Sequence, residues 1–179
     1  MLTSLILRRR RRLTAERLYG GIVAQARQTV FYTELAVPDT LEGRFDLLVL
    51  HVHLLFRRLT NGNAAERAVG QAVFDRFCAD MDASLREIGI GDLAVPRRMR
   101  EMGEAFYGRA AAYDAALAEA DDALLANSLL RNVYGGEGTA APSARRLSHY
   151  VRATVASLAA QDASAIARGE LHFPRPEEN

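Results

Sequence analysis

Four histidines and one cysteine are the side chains of this sequence best suited to metal binding or nucleophilic chemistry. His51 and His53 are two residues apart, and on a helix they would point about 200° away from each other, so they cannot share one metal ion. Cys78 stands among apolar residues, where a thiolate is disfavoured, and it is therefore a poor nucleophile. A single cysteine also excludes a disulfide framework and a cysteine-rich zinc site. We expect no metal site.

The other polar residues show no catalytic pattern. His149 falls on the polar face of a predicted helix, and His172 lies near the C-terminus. Asp75 and Asp82 share one side of a helix, but the neighbouring Arg76 and Arg86 favour a solvated charged face over paired catalytic carboxylates. No serine stands in a nucleophile motif, and Gly20-Gly21 is too short for a phosphate-binding loop, so that pair more plausibly lets another helix approach closely. We expect no catalysis and no cofactor.

Arginine supplies all the positive side-chain charge, because Lys and Arg together number 23 and no lysine is present. Five of them are consecutive and follow a short apolar stretch: Arg8, Arg9, Arg10, Arg11 and Arg12. Without this run, 18 arginines face 22 acidic residues, and a body with a net charge of −4 repels phosphate, which argues against DNA as a partner. The run itself indicates a membrane surface or a ribosome as partner, or else a solvated and frayed terminus.

Helical periodicity dominates the chain and strand alternation is absent, which predicts an all-α, single-domain bundle of about six to seven helices. The predicted helices cover residues 15–29, 41–59, 64–88, 96–118, 122–134 and 142–160, with a last turn at 164–168. Thr40, Asn63 and Asp121 or Asp122 are the expected N-caps, and Pro96 suits a first helical turn. We expect an apolar and Arg-rich segment at 1–12, a helical domain at 13–170 and a tail at 171–179.

The predicted helix at 41–59 is apolar on two sides. Its main stripe faces the core, and Leu47, Leu50 and Leu54 form a second stripe on the opposite side. A helix of this kind is either central and buried all round or presents its second stripe as an exposed groove wall for an apolar partner. The sequence leaves both interpretations open.

Three arginines, Arg97, Arg98 and Arg100, stand in the opening turns of the helix that follows Pro96. Cations there oppose the helix dipole at a cost of roughly 0.3–1 kcal/mol each in the first turn. Ion pairs with Glu101 and Glu104 would compensate for this, and so would an acidic or polar partner bound by the cluster.

Asp92 and Arg109 lie on either side of the arginine cluster. Asp92, in the preceding loop, is a further candidate for compensating its charge. Arg109 is at the edge of the helix's apolar stripe near Met102, so we expect it to be half-buried and paired with a specific partner.

Five segments, in this order along the chain, resemble the ubiquinol–cytochrome c chaperone family. They are Tyr19-Gly-Gly-Ile-Val-Ala-Gln-Ala-Arg27, Arg44-Phe-Asp-Leu-Leu-Val-Leu-His51, Phe74-Asp-Arg-Phe-Cys-Ala-Asp-Met-Asp82, Leu85-Arg-Glu-Ile-Gly-Ile-Gly-Asp92, and Val95-Pro-Arg-Arg-Met-Arg100 leading into Glu104-Ala-Phe-Tyr-Gly-Arg109. Together they cover about residues 15–118. Five ordered segments in one helical domain form a specific signal.

This resemblance implies a non-enzymatic assembly factor for the ubiquinol–cytochrome c reductase (bc1) complex, which binds newly synthesised cytochrome b. It also implies relatives that work with a partner subunit and near the ribosome. The candidate client-binding residues are Leu47, Leu50, Leu54, Asp92, Arg97, Arg98, Arg100, Tyr107 and Arg109. The longest apolar run, residues 47–56, is too short to cross a bilayer, so we expect a cytoplasmic protein or one peripheral on the inner face of the cytoplasmic membrane.

A helical lipid or quinone carrier is the alternative function. Its cavity would be lined by Phe45, Met99, Met102 and Phe106, since methionine adapts to irregular apolar ligands. A closed apolar cavity favours the carrier, whereas an open concave face bearing the second leucine stripe or the arginine cluster favours the chaperone.

Overall fold

The computed structural model describes the backbone of residues 2–176 and the side chains from residue 6 onward. Its helices are α1 (Leu2–Ala26), α2 (Val30–Thr33), α3 (Leu41–Thr60), α4 (Ala64–Glu87), α5 (Val95–Ala118), α6 (Asp122–Val133), α7 (Ala141–Ala160) and α8 (Ala163–Ala167), with a 3-10 turn at Gly138–Ala140 before α7. The described chain is all-helical, as predicted. Residue 1 and residues 177–179 of the predicted terminal segments lie outside the described part.

Side-chain caps determine where the central helices begin. The Thr40 hydroxyl accepts a hydrogen bond from the Gly43 amide at the start of α3. Asn63 and Glu66 form a reciprocal capping box on α4, and Asp121 caps α6 through the Ala123 amide. These caps satisfy backbone donors that have no partner within the helix, which confirms the predicted helix starts to within a residue.

The N-terminal region differs from the prediction. The first helix begins at Leu2 and not after Thr14, so the run of five arginines is helical and continuous with the body of α1. It ends at Ala26, three residues before the expected end at residue 29, and the short helix α2 that follows was not predicted. The expected boundary at residue 12 therefore coincides with no break in secondary structure.

Helix α3 is the centre of the bundle. It packs against α1, α4, α5, α6 and α7, and ten of its residues are buried. Leu47, Leu50 and Leu54 are at most 1% exposed. The interpretation of this stripe as an exposed groove wall is therefore wrong, because neighbouring helices cover both apolar sides of α3.

Two close contacts fix how the chain packs around α3. A β-carbon added at Gly43 would lie 2.1 Å from the Pro38 carbonyl oxygen, so the loop before α3 requires glycine there. One added at Gly70 would lie 3.0 Å from the Leu59 β-carbon, where α4 approaches α3. The predicted close helix approach at Gly20-Gly21 is wrong, since Gly21 meets only the Leu171 side chain at 3.6 Å.

A network of hydrogen-bonded side chains connects α3 to α1 and α7. The His51 Nδ1–H donates to the Leu47 carbonyl at 2.7 Å, so Nε2 accepts from the Tyr150 hydroxyl at 2.8 Å. Gln25 donates both to that hydroxyl and to the Pro174 carbonyl, which ties the C-terminal segment to α1. Complete burial lowers the pKa of His51 to about 4, and the ring is therefore neutral.

Across residues 2–176, none of the helices combines the length and the apolar character that a bilayer crossing requires.

Candidate functional site

The arginine cluster lies on the solvent-facing side of α5. Arg97 and Arg98 both pair with Glu101, at 2.9 and 3.0 Å, and the Arg97 side chain remains 84% exposed. Arg100 makes no ion pair with any residue of the described chain, so the expected Arg100–Glu104 pair is not formed. One carboxylate therefore serves two of three arginines, and much of the cluster's charge stays available to a partner.

Asp92 does not compensate the cluster. Its carboxylate, 87% exposed, pairs instead with Arg86 near the end of α4. Arg86 also pairs with Asp82 at 2.7 Å, which accounts for one of the two aspartates that shared a helix side in the sequence. Asp92 therefore braces the α4–α5 loop and leaves the arginines unopposed from that side.

Exposed apolar side chains flank the arginines. Ile88 and Leu93, in the segment that leads into α5, are 66% and 100% exposed, and Tyr107 on α5 is 57% exposed. Positions 97, 100, 104 and 107 follow a helical repeat and lie within roughly 40° of one line along α5. We call the surface formed by Ile88, Leu93, Arg97, Arg100 and Tyr107 the α5 face; Arg98 lies about 100° from Arg97 around the helix and stands outside this face. The α5 face joins positive charge to apolar area.

Arg109 is paired, as the sequence predicts. Its guanidinium lies 2.9 Å from the Asp46 carboxylate of α3, with 23% of the Arg109 side chain and 14% of the Asp46 side chain exposed. Burial outweighs the charge of Arg109 and raises the pKa of Asp46 to about 6. This pair joins α3 to α5 inside the protein, so the Arg109 guanidinium is occupied by a structural contact.

A groove opens beside the α5 face, between α3 and α5, with a volume of about 420 Å³. Its apolar wall is Phe56, Phe106 and Tyr107, and its polar end is His53, Arg57 and Asp114. Ala110 and Ala111 line the α5 side. We call this the α3–α5 groove. Tyr107 belongs to both the groove and the α5 face.

The apolar wall is part of a cluster of rings. Phe74 of α4 lies with its ring centroid 5.0 Å from Phe106 and 5.5 Å from Phe56, and Phe106 meets Tyr107 edge-on at 5.5 Å. Aromatic pairs in such arrangements add roughly 0.5–1.5 kcal/mol beyond the area that they bury. The wall of the groove is therefore held firmly in place.

His53 is the unusual member of the groove. Its side chain is 3% exposed, and Nε2 is 3.3 Å from Asp114 Oδ1 in a geometry that makes no hydrogen bond. Neither ring nitrogen has a hydrogen-bond partner within the described part of the chain. Burial is the main cause that lowers the pKa of His53, against the opposing charge of Asp114, which also pairs with Arg57 at 2.9 Å.

The arginines of α1 line a second groove, of about 570 Å³, between α1 and α4. Its basic lining residues are Arg8, Arg11, Arg12 and Arg76, and its acidic ones are Glu16 and Asp75. Ile6 and Leu7, more than half exposed, immediately precede the run. The start of α1 therefore presents apolar and basic side chains together.

The residues expected to line a carrier cavity pack into or against the core of the described chain. Phe106 is buried, and Phe45, Met99 and Met102 are half-buried and packed against the core. Phe106 also borders the α3–α5 groove, which is open to solvent, as is the groove beside α1.

The other candidate side chains have ordinary surroundings. His149 lies 3.4 Å from Asp122, and the His172 amide donates to Gln161. Burial raises the pKa of Cys78, which keeps the thiol protonated.

The sequence analysis did not identify Asp46, His53, Arg57 or Asp114 as members of a site. Asp46 and Arg109 come from different helices, and so do His53 and Asp114. Helical periodicity gives the face of each residue but not the neighbour across the bundle. The one available signal was Arg109 at the edge of an apolar stripe, which predicts a partner without naming it.

Comparison with known proteins places the chain in a family. The sequence model described as ubiquinol-cytochrome C chaperone matches residues 33–173. A Xenopus laevis protein named ubiquinol-cytochrome-c reductase complex assembly factor 1 is 26% identical over 144 residues, which are 80% of this chain and 72% of that protein. The crystal structure of the Cbp3 homolog from Brucella abortus superposes with a TM-score of 0.88 at 38% identity, over 99% of both chains.

The family match extends from α2 to the C-terminal segment after α8, and it includes every residue of the α5 face and the α3–α5 groove. The expected family is confirmed by the sequence match and by the structural likeness together. This chain is a member of the ubiquinol–cytochrome c chaperone family.

Proposed function

We propose that this protein is a non-enzymatic assembly chaperone of the bc1 complex that binds newly synthesised cytochrome b. The observation that carries the proposal is the family match over residues 33–173. A relative whose name describes an assembly factor for the same reductase supports it.

The α5 face is the surface that we assign to the client. A membrane protein in transit offers apolar helices together with loops that carry polar and acidic groups. Leu93 and Tyr107 suit the apolar helices of a client, and the exposed guanidinium groups of Arg97 and Arg100 suit its polar and acidic loops. Leu47, Leu50 and Leu54 are buried in the bundle and present no surface to a client.

The basic start of α1 is the surface that we assign to the membrane. Exposed Ile6 and Leu7 followed by five arginines have the composition of an interfacial segment, and anionic lipid contributes roughly 1 kcal/mol for each nearby basic residue. On this proposal the protein works at the inner face of the cytoplasmic membrane, where a membrane-protein client would emerge. A ribosomal contact through the same arginines is the competing outcome, and a measurement of binding to lipid vesicles distinguishes it from a membrane contact.

A strain that lacks the gene tests the proposal. We expect its membranes to lose cytochrome b, cytochrome c1 and quinol oxidation by the bc1 complex, while a second respiratory complex is unchanged. Restoration by the wild-type gene is the control. Normal bc1 levels in the deletion strain, in the absence of a second copy of the gene, would contradict the proposed function and direct attention to lipid extraction from the purified protein.

A further inference from the structure

The α3–α5 groove has a feature that the α5 face lacks, a buried polar side chain without a partner. Buried polar groups in proteins are almost always hydrogen-bonded, and leaving one unpaired costs roughly 1–3 kcal/mol. The His53 side chain lines the groove and is only 3% exposed. Neither of its ring nitrogens makes a hydrogen bond within the described chain. Both nitrogens are covered in this structure, so a partner from outside would remove that cost when the His53 ring turns toward the groove, a side-chain movement that is common on binding.

The charge of the groove restricts what that partner is. Arg57 and Asp114 neutralise each other at 2.9 Å, and His53 is neutral because burial dominates its titration. The polar end therefore has no net charge and offers both donors and acceptors. A neutral imidazole has one N–H donor and one acceptor nitrogen, the same complement as a single peptide group.

The apolar wall restricts it further. Phe56, Phe106 and Tyr107 present ring surface next to that polar end, and Ala110 and Ala111 leave room above α5. A volume of about 420 Å³ falls in the range of small binding sites, roughly 300–1,000 Å³, and admits a short stretch of chain but not a whole helix. The groove suits a large apolar side chain that is adjacent to an uncharged, unpaired peptide group.

We propose that the α3–α5 groove holds a short apolar stretch of the client's membrane-spanning sequence before it has folded, with a peptide group at His53 and Asp114. This rests on the proposed function and specifies which part of the client is bound. Membrane-spanning segments are uncharged and apolar, and their peptide groups need partners until a helix forms in the bilayer. Tyr107 connects the groove to the α5 face, so the client's polar loop and its apolar segment bind side by side.

Site-specific photocrosslinking tests this inference. A photoreactive phenylalanine analogue at Ala111, an exposed position in the groove, is compared with the same analogue at Ala156, exposed on α7, and at Leu93 on the α5 face. Full-length protein carrying each substitution is mixed with radiolabelled cytochrome b during its synthesis. We expect a crosslink from Ala111 to a membrane-spanning segment, a crosslink from Leu93 to a loop, and none from Ala156. Adding His53→Leu should lower the Ala111 yield roughly tenfold, the effect of one hydrogen bond.

The other outcomes would contradict either the groove inference alone or the proposed function as well. Capture from Leu93 but not from Ala111 would overturn the groove inference and leave the proposed function intact. A crosslink from Ala111 to a lipid or quinone, identified by its mass, would also overturn it in favour of a small apolar ligand. Capture from neither position, together with normal bc1 levels in the deletion strain, would overturn both. Helical circular dichroism checks that the His53→Leu chain is folded. Ala111→Trp fills the groove and provides a second blocking variant, whose effect is measured as reduced co-purification of labelled cytochrome b.

Discussion

Two regions of α5 use the same residue type in opposite ways. In the opening turns, Arg97 is 84% exposed, and it shares one glutamate with Arg98. Three turns later, Arg109 is largely buried and meets a single buried carboxylate of α3. The first arrangement leaves guanidinium groups free to meet another molecule, whereas the second commits one to holding two helices together.

The difference teaches that the surroundings of an arginine, more than its place in a motif, decide its role. Exposed ion pairs contribute little to stability, roughly 0–1 kcal/mol, because water screens them and long side chains lose entropy. Removing one member of a buried pair is costly because an uncompensated charge remains inside. The two regions should therefore separate cleanly in measurements of folding and of binding.

Arg109→Ala should give the largest effect on folding. We expect a loss of about 3 kcal/mol in the free energy of unfolding, because the Asp46 carboxylate stays mostly buried without its partner. Urea denaturation at neutral pH measures it. Arg97→Ala is the matched control and should change stability by less than about 0.5 kcal/mol. Equal losses in the two variants would remove the distinction between the regions.

Lowering the pH from 7 to 4 should give the next largest loss of stability, because His51 becomes protonated on unfolding. The pKa of His51 is about 4 when folded and ordinary when unfolded, so its contribution is present above pH 6.5 and lost as the pH falls through this window. A pKa lowered from 6.5 to about 4 corresponds to about 3 kcal/mol of stability. The comparison of wild type with His51→Gln across this range isolates that loss.

Asp46 should act in the opposite direction. Its pKa of about 6 when folded is above the ordinary value of 3.8, so its contribution is greatest below pH 3.8 and is lost as the pH rises through 6. Asp46→Asn should therefore lose more stability on acidification than wild type does, and His51→Gln should lose less. Denaturation curves for both variants at pH 7 and pH 4 provide the measurement. Parallel changes in the two variants would contradict these assignments.

The triple variant Arg97→Ala, Arg98→Ala, Arg100→Ala should change stability by about 1 kcal/mol or less, since its members are exposed. Capture of newly synthesised cytochrome b should nevertheless fall roughly tenfold or more, because charge-assisted contacts are lost. Helical circular dichroism confirms the fold, and co-purification with the labelled client measures capture. Unchanged capture by the folded variant would remove the client assignment from the arginine cluster.

Replacing Arg8 to Arg12 by serine should have the smallest effect on the folded body, because these side chains are exposed. Binding to vesicles of phosphatidylcholine with a minority of phosphatidylserine should fall more than tenfold, given roughly 1 kcal/mol for each basic residue at the surface. Flotation of the vesicles measures it, with pure phosphatidylcholine vesicles as the control. Equal binding of wild type and variant to both vesicle types would contradict a membrane contact.

Helix starts could be predicted where a local signal exists. Thr40, Asn63 and Asp121 cap their own helices through bonds that span two or three residues, so the sequence contains both partners. Only Met1 precedes Leu2 in the sequence, so no capping residue type indicates a helix start there, and the sequence predicts the start after Thr14 instead. That expectation was wrong.

The burial of individual side chains and their contacts across the bundle could not be predicted from local signals. The burial of Leu50 depends on helices that come from distant parts of the chain, and a single amphipathic pattern does not identify them. His53 and Asp114 likewise meet only because α3 and α5 pack together. The candidate groove is therefore a property of the assembled bundle, while the arginine cluster next to it is visible in the sequence.

The central position of α3 has a consequence for the exchange of amide hydrogens with solvent. Helices that are covered on every side open only when the whole domain opens, whereas helix ends at the surface open locally. The amides of Val49 to Leu55 should therefore exchange most slowly and report the free energy of global unfolding. Those around Arg8 to Arg12 should exchange early, unless a bound surface slows them.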